Sequence, residues 1–432
     1  MNILFIESAE AYYMPINTKM PKRWAYLVEI ATYVKNKNNN VKVMDCLNPE
    51  ISHNEILEEI SKNKYDIICF LMRIESVSSM IKLVPLVKKI SPSSKLLTYG
   101  DAPCMFINFI KKKMGQLDAI VESGDWEVAI TNYAKYLKKE DFLDDNIPGI
   151  TIKKDGKWIN ATRCNGEKFV GWEFPNLDDD MIDRDLYLSL RNNEVTFSVS
   201  RGCPYNCKFC LAVKTFDKDD RRKNPKDIVK YMKDNKDKVK RFKLFSPTFT
   251  YNKDWVMELC KLIINEKLNV EWVCTSRPDC LRDKEMIEMM AKAGCSKIAV
   301  GIETLDEESN KELRKFASIE DYKNVVKNMF SYANGCNIEI KPLLMMGIKG
   351  QTKENIKETL DFLKENGAKD VRVAAYSPRQ TLTKLDIENK LTLSKIEEMD
   401  KMTHIDILPK GMTKEMFLNM IYNTNNYKEI LK

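Results

Sequence analysis

Long apolar runs are missing from this chain of 432 residues. Its longer ones, such as residues 67–72, fall far short of the roughly 20 residues that cross a bilayer, so no membrane-embedded role is expected. The N-terminus, Met1-Asn2-Ile3-Leu4-Phe5-Ile6-Glu7, has neither the basic leader nor the apolar stretch of a secretory signal. A cytoplasmic protein is therefore expected. That compartment keeps thiols reduced, and the 12 cysteines are not expected to form a disulfide framework. A strong charge of either sign is also absent, with 70 Lys and Arg against 63 Asp and Glu. The densest basic block, residues 218–243, is interrupted by Asp and has few aromatics, which suits a solvated helix better than a nucleic-acid surface. What is present, 44% hydrophobic and 31% charged residues, is the composition of a soluble globular protein of two or three domains.

Three of the cysteines stand together, in Ser200-Arg201-Gly202-Cys203-Pro204-Tyr205-Asn206-Cys207-Lys208-Phe209-Cys210. Pro204, Asn206 and Lys208 make this a polar loop, a poor place for thiols that merely fill a core. Three closely spaced thiolates suit three irons of a [4Fe-4S] cluster, which leaves the fourth iron open for another ligand. The leading Ser-Arg-Gly, the spacing and the aromatic Phe209 before Cys210 resemble the cluster loop of the radical S-adenosylmethionine (SAM) superfamily.

Strand-like and helical segments alternate along the chain. Residues 2–6, 41–44, 65–71, 95–100 and 118–121 read as strands separated by helices, a pattern that predicts a doubly wound parallel sheet over residues 1–140. Residues 148–163 read as a hairpin about Asp155-Gly156 and begin a connector that spans 141–193. A second alternation places strands near 194–200, 241–246, 270–276, 297–303, 339–347 and 370–377. Six units predict a partial (β/α)6 barrel over 194–384, with functional groups at the C-terminal strand ends. Residues 385–432 read as a helical tail.

The resemblance extends over the barrel and implies how SAM is held. Arg277, in Ser276-Arg277-Pro278-Asp279, is expected to reach the SAM carboxylate. Glu303 ends a strand as in the family's Gly-x-Glu and is expected to contact SAM or its ribose. Gly347 lies in Met346-Gly347-Ile348-Lys349-Gly350-Gln351-Thr352, similar to the family's Gly-Leu-Pro-Gly-Glu-Thr turn, with Lys349 and Gln351 in place of proline and glutamate. Phe209 joins this set. Tyr376 and Arg379, after the sixth strand, are the candidates on the substrate side. The chain departs from the family after its second barrel strand, where an acidic pair for the SAM amino group is replaced by Phe245-Ser246-Pro247-Thr248-Phe249-Thr250. Ser246 and Thr248 are expected to substitute as neutral acceptors.

Residues 1–140 resemble the cobalamin-binding domain that precedes the barrel in one large radical SAM class. Gly100-Asp101-Ala102-Pro103 and Glu122-Ser123-Gly124-Asp125-Trp126-Glu127 stand where that class has Gly-Gly-x-Pro and Gly-Glu-x-Glu, which implicates Gly100 and Gly124. The Asp-x-His-x-x-Gly signature of histidine-ligated cobalamin is absent, since the chain has only His53 and His404. Arg73, Glu75 and Ser76 are the candidates to line the lower cobalt face.

The resemblance implies a radical SAM methyltransferase with a [4Fe-4S] cluster, SAM and cobalamin. It would act on an unactivated carbon of a small-molecule or peptide substrate, with an electron donor such as flavodoxin or ferredoxin. Cyclisation or rearrangement with the same cofactors is an alternative, as is a radical SAM enzyme with a vestigial cobalamin domain. A methylthiotransferase would need a second, N-terminal cysteine trio, and Cys46, Cys69 and Cys104 are unsuitably placed for one.

Overall fold

The computed structural model describes residues 1–8, 26–46, 51–122, 125–141, 145–161, 169–176, 181–189, 191–400 and 405–432. The chain forms two compact units. The first comprises Met1–Arg191, Leu211–Arg221 and Arg379–Lys401; the second comprises Asn192–Cys210, Arg222–Pro378 and Met402–Lys432.

The first unit runs β1 (Asn2–Glu7), α1 (Tyr26–Lys35), β2 (Asn40–Asp45), α2 (His53–Lys62), β3 (Ile67–Leu71), α3 (Val77–Ile90) and β4 (Lys95–Tyr99). It continues through α4 (Asp101–Met105), α5 (Ile107–Lys113), β5 (Ala119–Val121), α6 (Trp126–Lys138), β6 (Ile150–Lys154), β7 (Lys157–Ile159) and α7 (Arg184–Ser189). Strand order is β2-β1-β3-β4-β5-β6-β7. The first five strands are parallel, and β6 and β7 add antiparallel at the edge. Ile3 to Ile6 of β1 are all fully buried, as expected of a parallel strand covered on both faces. The hairpin turn holds Asp155 and Gly156 at φ +50° and +77°, the left-handed pair that a tight two-residue turn requires. Chain order reverses between β1 and β3, and sheets of this kind bind ligands beyond the strand ends at such a point.

Two parts of the chain distant in sequence complete this unit. One carries α8 (Ala212–Phe216). The other carries α15 (Gln380–Ile387) and α16 (Leu393–Asp400), from which Leu382, Leu391, Ile396 and Met399 enter the first unit's core. The Asp386 carboxylate accepts backbone hydrogen bonds from Asn108 (3.1 Å) and Phe109 (2.7 Å) and so caps α5. The stretch read from sequence as a helical tail is thus divided, residues up to Lys401 belonging to the first unit and Met402–Lys432 to the second.

The second unit is a six-stranded parallel sheet. Its strands are β8 (Glu194–Ser198), β11 (Arg241–Phe245), β12 (Trp272–Ser276), β13 (Cys295–Glu303), β14 (Glu339–Met346) and β15 (Arg372–Ala375), ordered β15-β14-β13-β12-β11-β8. The two-residue strands β9 (Ser200–Arg201) and β10 (Arg221–Arg222) lie between β8 and β11 in the chain. Helices α9 (Pro225–Asn235), α10 (Lys253–Asn265), α11 (Lys284–Lys292), α12 (Glu307–Leu313), α13 (Ile319–Gly335) and α14 (Lys353–Glu365) connect the strands. Alternation sorts the two faces. Phe197 of β8 and Phe242 of β11 are buried and pack with each other, and Phe197 also packs with Tyr231 of α9. Arg241, Lys243 and Phe245 point to the other face. The fold class is the one expected: a parallel-dominated α/β sheet followed by a partial barrel.

Candidate active site

The cysteine loop leaves β9 through Gly202, whose φ of +84° turns the chain. Cys203 is buried, while Cys207 and Cys210 are partly open. Cys203 Sγ lies 3.8 Å from Thr248 Oγ1, and Cys207 Sγ lies 3.1 Å from Arg277 Nη1. Among the described residues no three His, Cys, Asp or Glu side chains converge as for a single ion. Thiolates that bind three different corners of an iron-sulfur cube do not need to converge in that way. The donor set, three thiols on a polar loop beside a guanidinium, fits a cluster with an open iron.

Arg277 is enclosed by its neighbours. Nε and Nη2 grip the two Asp279 carboxylate oxygens at 2.9 and 3.0 Å, and Nη2 also donates to the Lys315 carbonyl at 2.9 Å. The guanidinium stacks over Tyr205 at 3.8 Å from the ring centroid. Its fork is therefore closed on Asp279, and Nη1, the nitrogen left over, faces the Cys207 thiol.

Glu303 ends β13 at φ +68°, a left-handed conformation that is strained for a side chain other than glycine. The β13–β14 register shifts between Gly301 and Glu303, which lets the carboxylate turn inward. It is buried and pairs with buried Lys315 at 3.2 Å. Lys315 Nζ in turn lies 5.9 Å from the Phe209 ring centroid, beside the last cysteine. Phe209 packs with Met345 against Leu313, Ile348 and Tyr376.

Neutral hydroxyls occupy the ends of the first barrel strands. Ser246 Oγ is 2.6 Å from Ser200 Oγ and accepts from the Thr248 amide at 3.2 Å. Thr250 and Ser276 join at 2.5 Å. Arg222 fixes this turn by donating to the carbonyls of Thr248 (3.0 Å) and Phe249 (2.8 Å). At Gly347, φ +89°, the amide donates to Gln351 Oε1 at 2.8 Å, while Gln351 Nε2 donates to the Met345 carbonyl at 3.2 Å. Gln351 thus holds the turn in place of the family's glutamate.

Tyr376 and Arg379 fall in different compact units. Tyr376 is buried, and burial first, then Glu312 and Asp406, push its hydroxyl up to about 12. Arg379 belongs to the first unit, where Nη2 lies 3.5 Å from Glu75 Oε1.

The remaining first-unit candidates gather at the C-terminal strand ends. Arg73 Nε is 3.3 Å from Glu7 Oε1, so the pair links the ends of β3 and β1 where the order reverses. Arg73 and Ser76 close a short turn, the Arg73 amide donating to Ser76 Oγ at 3.1 Å. Asp101 accepts the Ile74 amide at 3.2 Å. Burial, then the charge of Glu75, raises the Asp101 carboxyl to about 7, against the lowering pull of Arg379 and Arg73. Gly100 has φ +124°, and a Cβ there would stand 2.4 Å from the Met72 carbonyl oxygen. Gly124 lies outside the described residues.

Sequence reasoning overlooked Lys315, Asp279 and Tyr205. Lys315 had no strand-end signal at all; Asp279, two residues after Arg277, carried a readable one.

Residues 197–363 match the Radical SAM superfamily. The chain is 24% identical over 396 residues to the anaerobic magnesium-protoporphyrin IX monomethyl ester cyclase of Rubrivivax gelatinosus, covering 88% of this chain and 68% of the cyclase. Among solved structures it shares the fold of the radical SAM methyltransferase TsrM from Kitasatospora setae, solved with cobalamin and a [4Fe-4S] cluster bound. TsrM has TM-score 0.70, 13% identity, and coverage of 88% of this chain and 77% of that one. The cobalamin-dependent SAM radical enzyme OxsB gives TM-score 0.66 at 17% identity, over 99% of this chain and 61% of that one. The matched segment is a radical SAM domain, and among the described residues no helix is long and apolar enough to cross a membrane.

Proposed function

We propose that this protein is a cobalamin-dependent radical SAM methyltransferase of the cytoplasm, acting on an unactivated carbon of a small-molecule or peptide substrate. The observation that carries the reading is the cysteine loop beside Arg277, with Cys207 Sγ 3.1 Å from Nη1, over strand ends that also hold the buried Glu303–Lys315 pair. When bound, a [4Fe-4S] cluster with SAM supplies a 5′-deoxyadenosyl radical that removes hydrogen, and cobalamin supplies the methyl group.

Cys203, Cys207 and Cys210 hold the irons. Arg277, locked by Asp279, sets a fixed positive charge beside the Cys207 thiolate. Lys315 holds Glu303 in place as an acceptor for SAM. Ser246 and Thr248 present neutral acceptors, and Gly347 allows close backbone approach. Phe209 offers a ring face to SAM. With its proton held at neutral pH, Tyr376 donates a hydrogen bond to the substrate rather than acting as a base. Arg379, paired with Glu75 in the first unit, is the second residue assigned to the substrate. Arg73, Glu75, Ser76 and Gly100 line the cobalamin site, which Gly124 is expected to complete. A flavodoxin or ferredoxin supplies the electron.

Similarity to a ring-forming cyclase over 88% of this chain favours cyclisation as a second reading, and product analysis separates the two. The test is anaerobic reconstitution with iron, sulfide and hydroxocobalamin, followed by metal analysis. About four irons per chain together with cobalt at one per chain supports the proposal; iron without cobalt sinks the methyltransferase reading.

A further inference from the structure

Thr248 follows the end of β11, and its side chain meets a cysteine of the cluster loop. The residue is buried, and its hydroxyl has one hydrogen-bonding partner among the described residues, Cys203 Sγ at 3.8 Å from Oγ1. Sulfur is larger than oxygen and accepts at longer range. The backbone that carries this hydroxyl is held on both sides. The Thr248 amide donates to Ser246 Oγ at 3.2 Å, and Arg222 donates to the carbonyls of Thr248 (3.0 Å) and Phe249 (2.8 Å). Arg222 in turn lies over the Trp255 ring, 4.9 Å from its centroid, and Trp255 Nε1 donates to the Lys223 carbonyl at 2.8 Å. Ser246 Oγ also meets Ser200 Oγ at 2.6 Å, and Ser200 opens the run that leads into Cys203. A short chain of hydroxyls therefore ties the cysteine loop to the turn that carries Thr248, all within the second unit.

A thiol and a hydroxyl can each donate, but a thiolate that binds iron has only lone pairs to offer, so in the loaded protein the Thr248 proton points to sulfur. Reduction of an iron-sulfur cluster adds negative charge that its sulfur ligands share. A donor aimed at one of those sulfurs stabilises the reduced form more than the oxidised one and raises the potential. Burial strengthens the effect, because a hydrogen bond is electrostatically stronger away from water. Arg277 Nη1, 3.1 Å from Cys207 Sγ, acts in the same sense on a second thiolate. Residues 245–250 carry no charged side chain that would oppose it.

We propose that Thr248 donates a hydrogen bond to the Cys203 thiolate and so raises the reduction potential of the cluster, which sets how readily the electron for SAM cleavage enters. No bond is made or broken at this residue: one electron arrives from a flavodoxin- or ferredoxin-type donor, and the Thr248 proton stays on its oxygen. The role is compatible with an acceptor role toward SAM, since a hydroxyl donates once and keeps lone pairs for accepting. It rests on the radical SAM reading above for the presence of the cluster.

The experiment is a redox titration of the reconstituted full-length protein, followed by the EPR signal of the reduced cluster and run without SAM, so that a contact with SAM plays no part. Thr248→Val, close in shape but without the hydroxyl, is expected to lower the equilibrium constant for reduction at least threefold, about 30 mV at 59 mV per tenfold for one electron. Thr248→Ser keeps the hydroxyl and should titrate close to the parent. Thr250→Val should do so too, because the Thr250 hydroxyl meets Ser276 at 2.5 Å and not a cysteine. Thr248→Ala supplies the same comparison where the valine variant fails to fold or to hold iron. Hydroxyl-free variants that match the parent in iron content and titrate with it overturn the proposal, as does an equal shift in Thr248→Ser. A parent that takes up no iron defeats the radical SAM reading and this proposal with it, whereas a parent that holds about four irons and titrates with its variants defeats this proposal alone.

Discussion

A Cβ on Gly301 would stand 2.6 Å from Oε1 of Glu303 and 3.2 Å from Nζ of Lys315. The bulge of β13 folds the carboxylate back over the backbone two residues earlier, so a side chain at 301 has to displace the ends of Glu303 and Lys315. Gly301→Ala is expected to push the pair apart, destabilising the fold by roughly 1–3 kcal/mol and weakening SAM binding at least tenfold. Equilibrium dialysis with SAM and a thermal melt check both. Normal SAM affinity in this variant would show that Glu303 does not contact SAM.

Glu303 and Lys315 are both buried, with side chains 9% and 4% exposed, and removing one partner strands the other. Glu303→Leu alone should lose about 3–5 kcal/mol, whereas Glu303→Leu with Lys315→Met should recover most of it, because no buried charge is left unpaired. The double variant should still fail to bind SAM. Denaturant titration of the parent, the two single variants Glu303→Leu and Lys315→Met, and the double variant measures the coupling, and an additive result would refute the pairing.

Arg277→Lys keeps the charge but loses the two-point grip on Asp279 and the stacking on Tyr205. Iron content should remain close to that of the parent, since the three thiols are intact, while reductive cleavage of SAM to 5′-deoxyadenosine should slow at least tenfold. Cys207→Ala, by contrast, should lose the cluster and its visible absorbance. An Arg277→Lys protein that cleaves SAM at the parent rate would show that the fork has no part in the chemistry.

The strand alternation and the cysteine spacing were legible because each is local: two-residue periodicity marks a strand, and the eight residues from Cys203 to Cys210 carry the cysteine spacing. Partnerships were not legible. Lys315 meets Glu303 only because β13 bulges and α12 returns the chain to that point, and Arg277 looked free for a carboxylate although Asp279, two residues later, was there to be read as its partner. Arg379 shows the same limit on a larger scale. It follows the last barrel strand by four residues, yet it belongs with Glu75 in the first unit, because the apolar faces of α15 and α16 are buried in that unit's core.

Asp101 supplies a pH dependence. Burial raises its carboxyl from the ordinary aspartate range to about 7, so the folded protein holds a proton that the unfolded chain releases. Its contribution to stability is complete below the ordinary aspartate pKa and is lost as pH rises toward about 7. Asp101→Asn should flatten that part of the stability profile and exceed the parent in stability at pH 8. Urea midpoints between pH 4 and 8 report it, and parallel profiles for the two proteins would show that Asp101 is ionised throughout.

Asp386 provides the clearest test of the chain's return to the first unit. Its carboxylate caps α5 through the amides of Asn108 and Phe109, and α5 has only seven residues, too few to hold its first turn on propensity alone. Asp386→Ala should lose about 1–2 kcal/mol by removing the cap, and Asp386→Asn should recover part of that, because an amide oxygen still accepts from one amide. Hydrogen exchange should quicken at residues 107–110 in the alanine variant while the barrel strands keep their protection. If exchange instead rose uniformly in both units, the carboxylate would be stabilising the whole molecule and not this helix start.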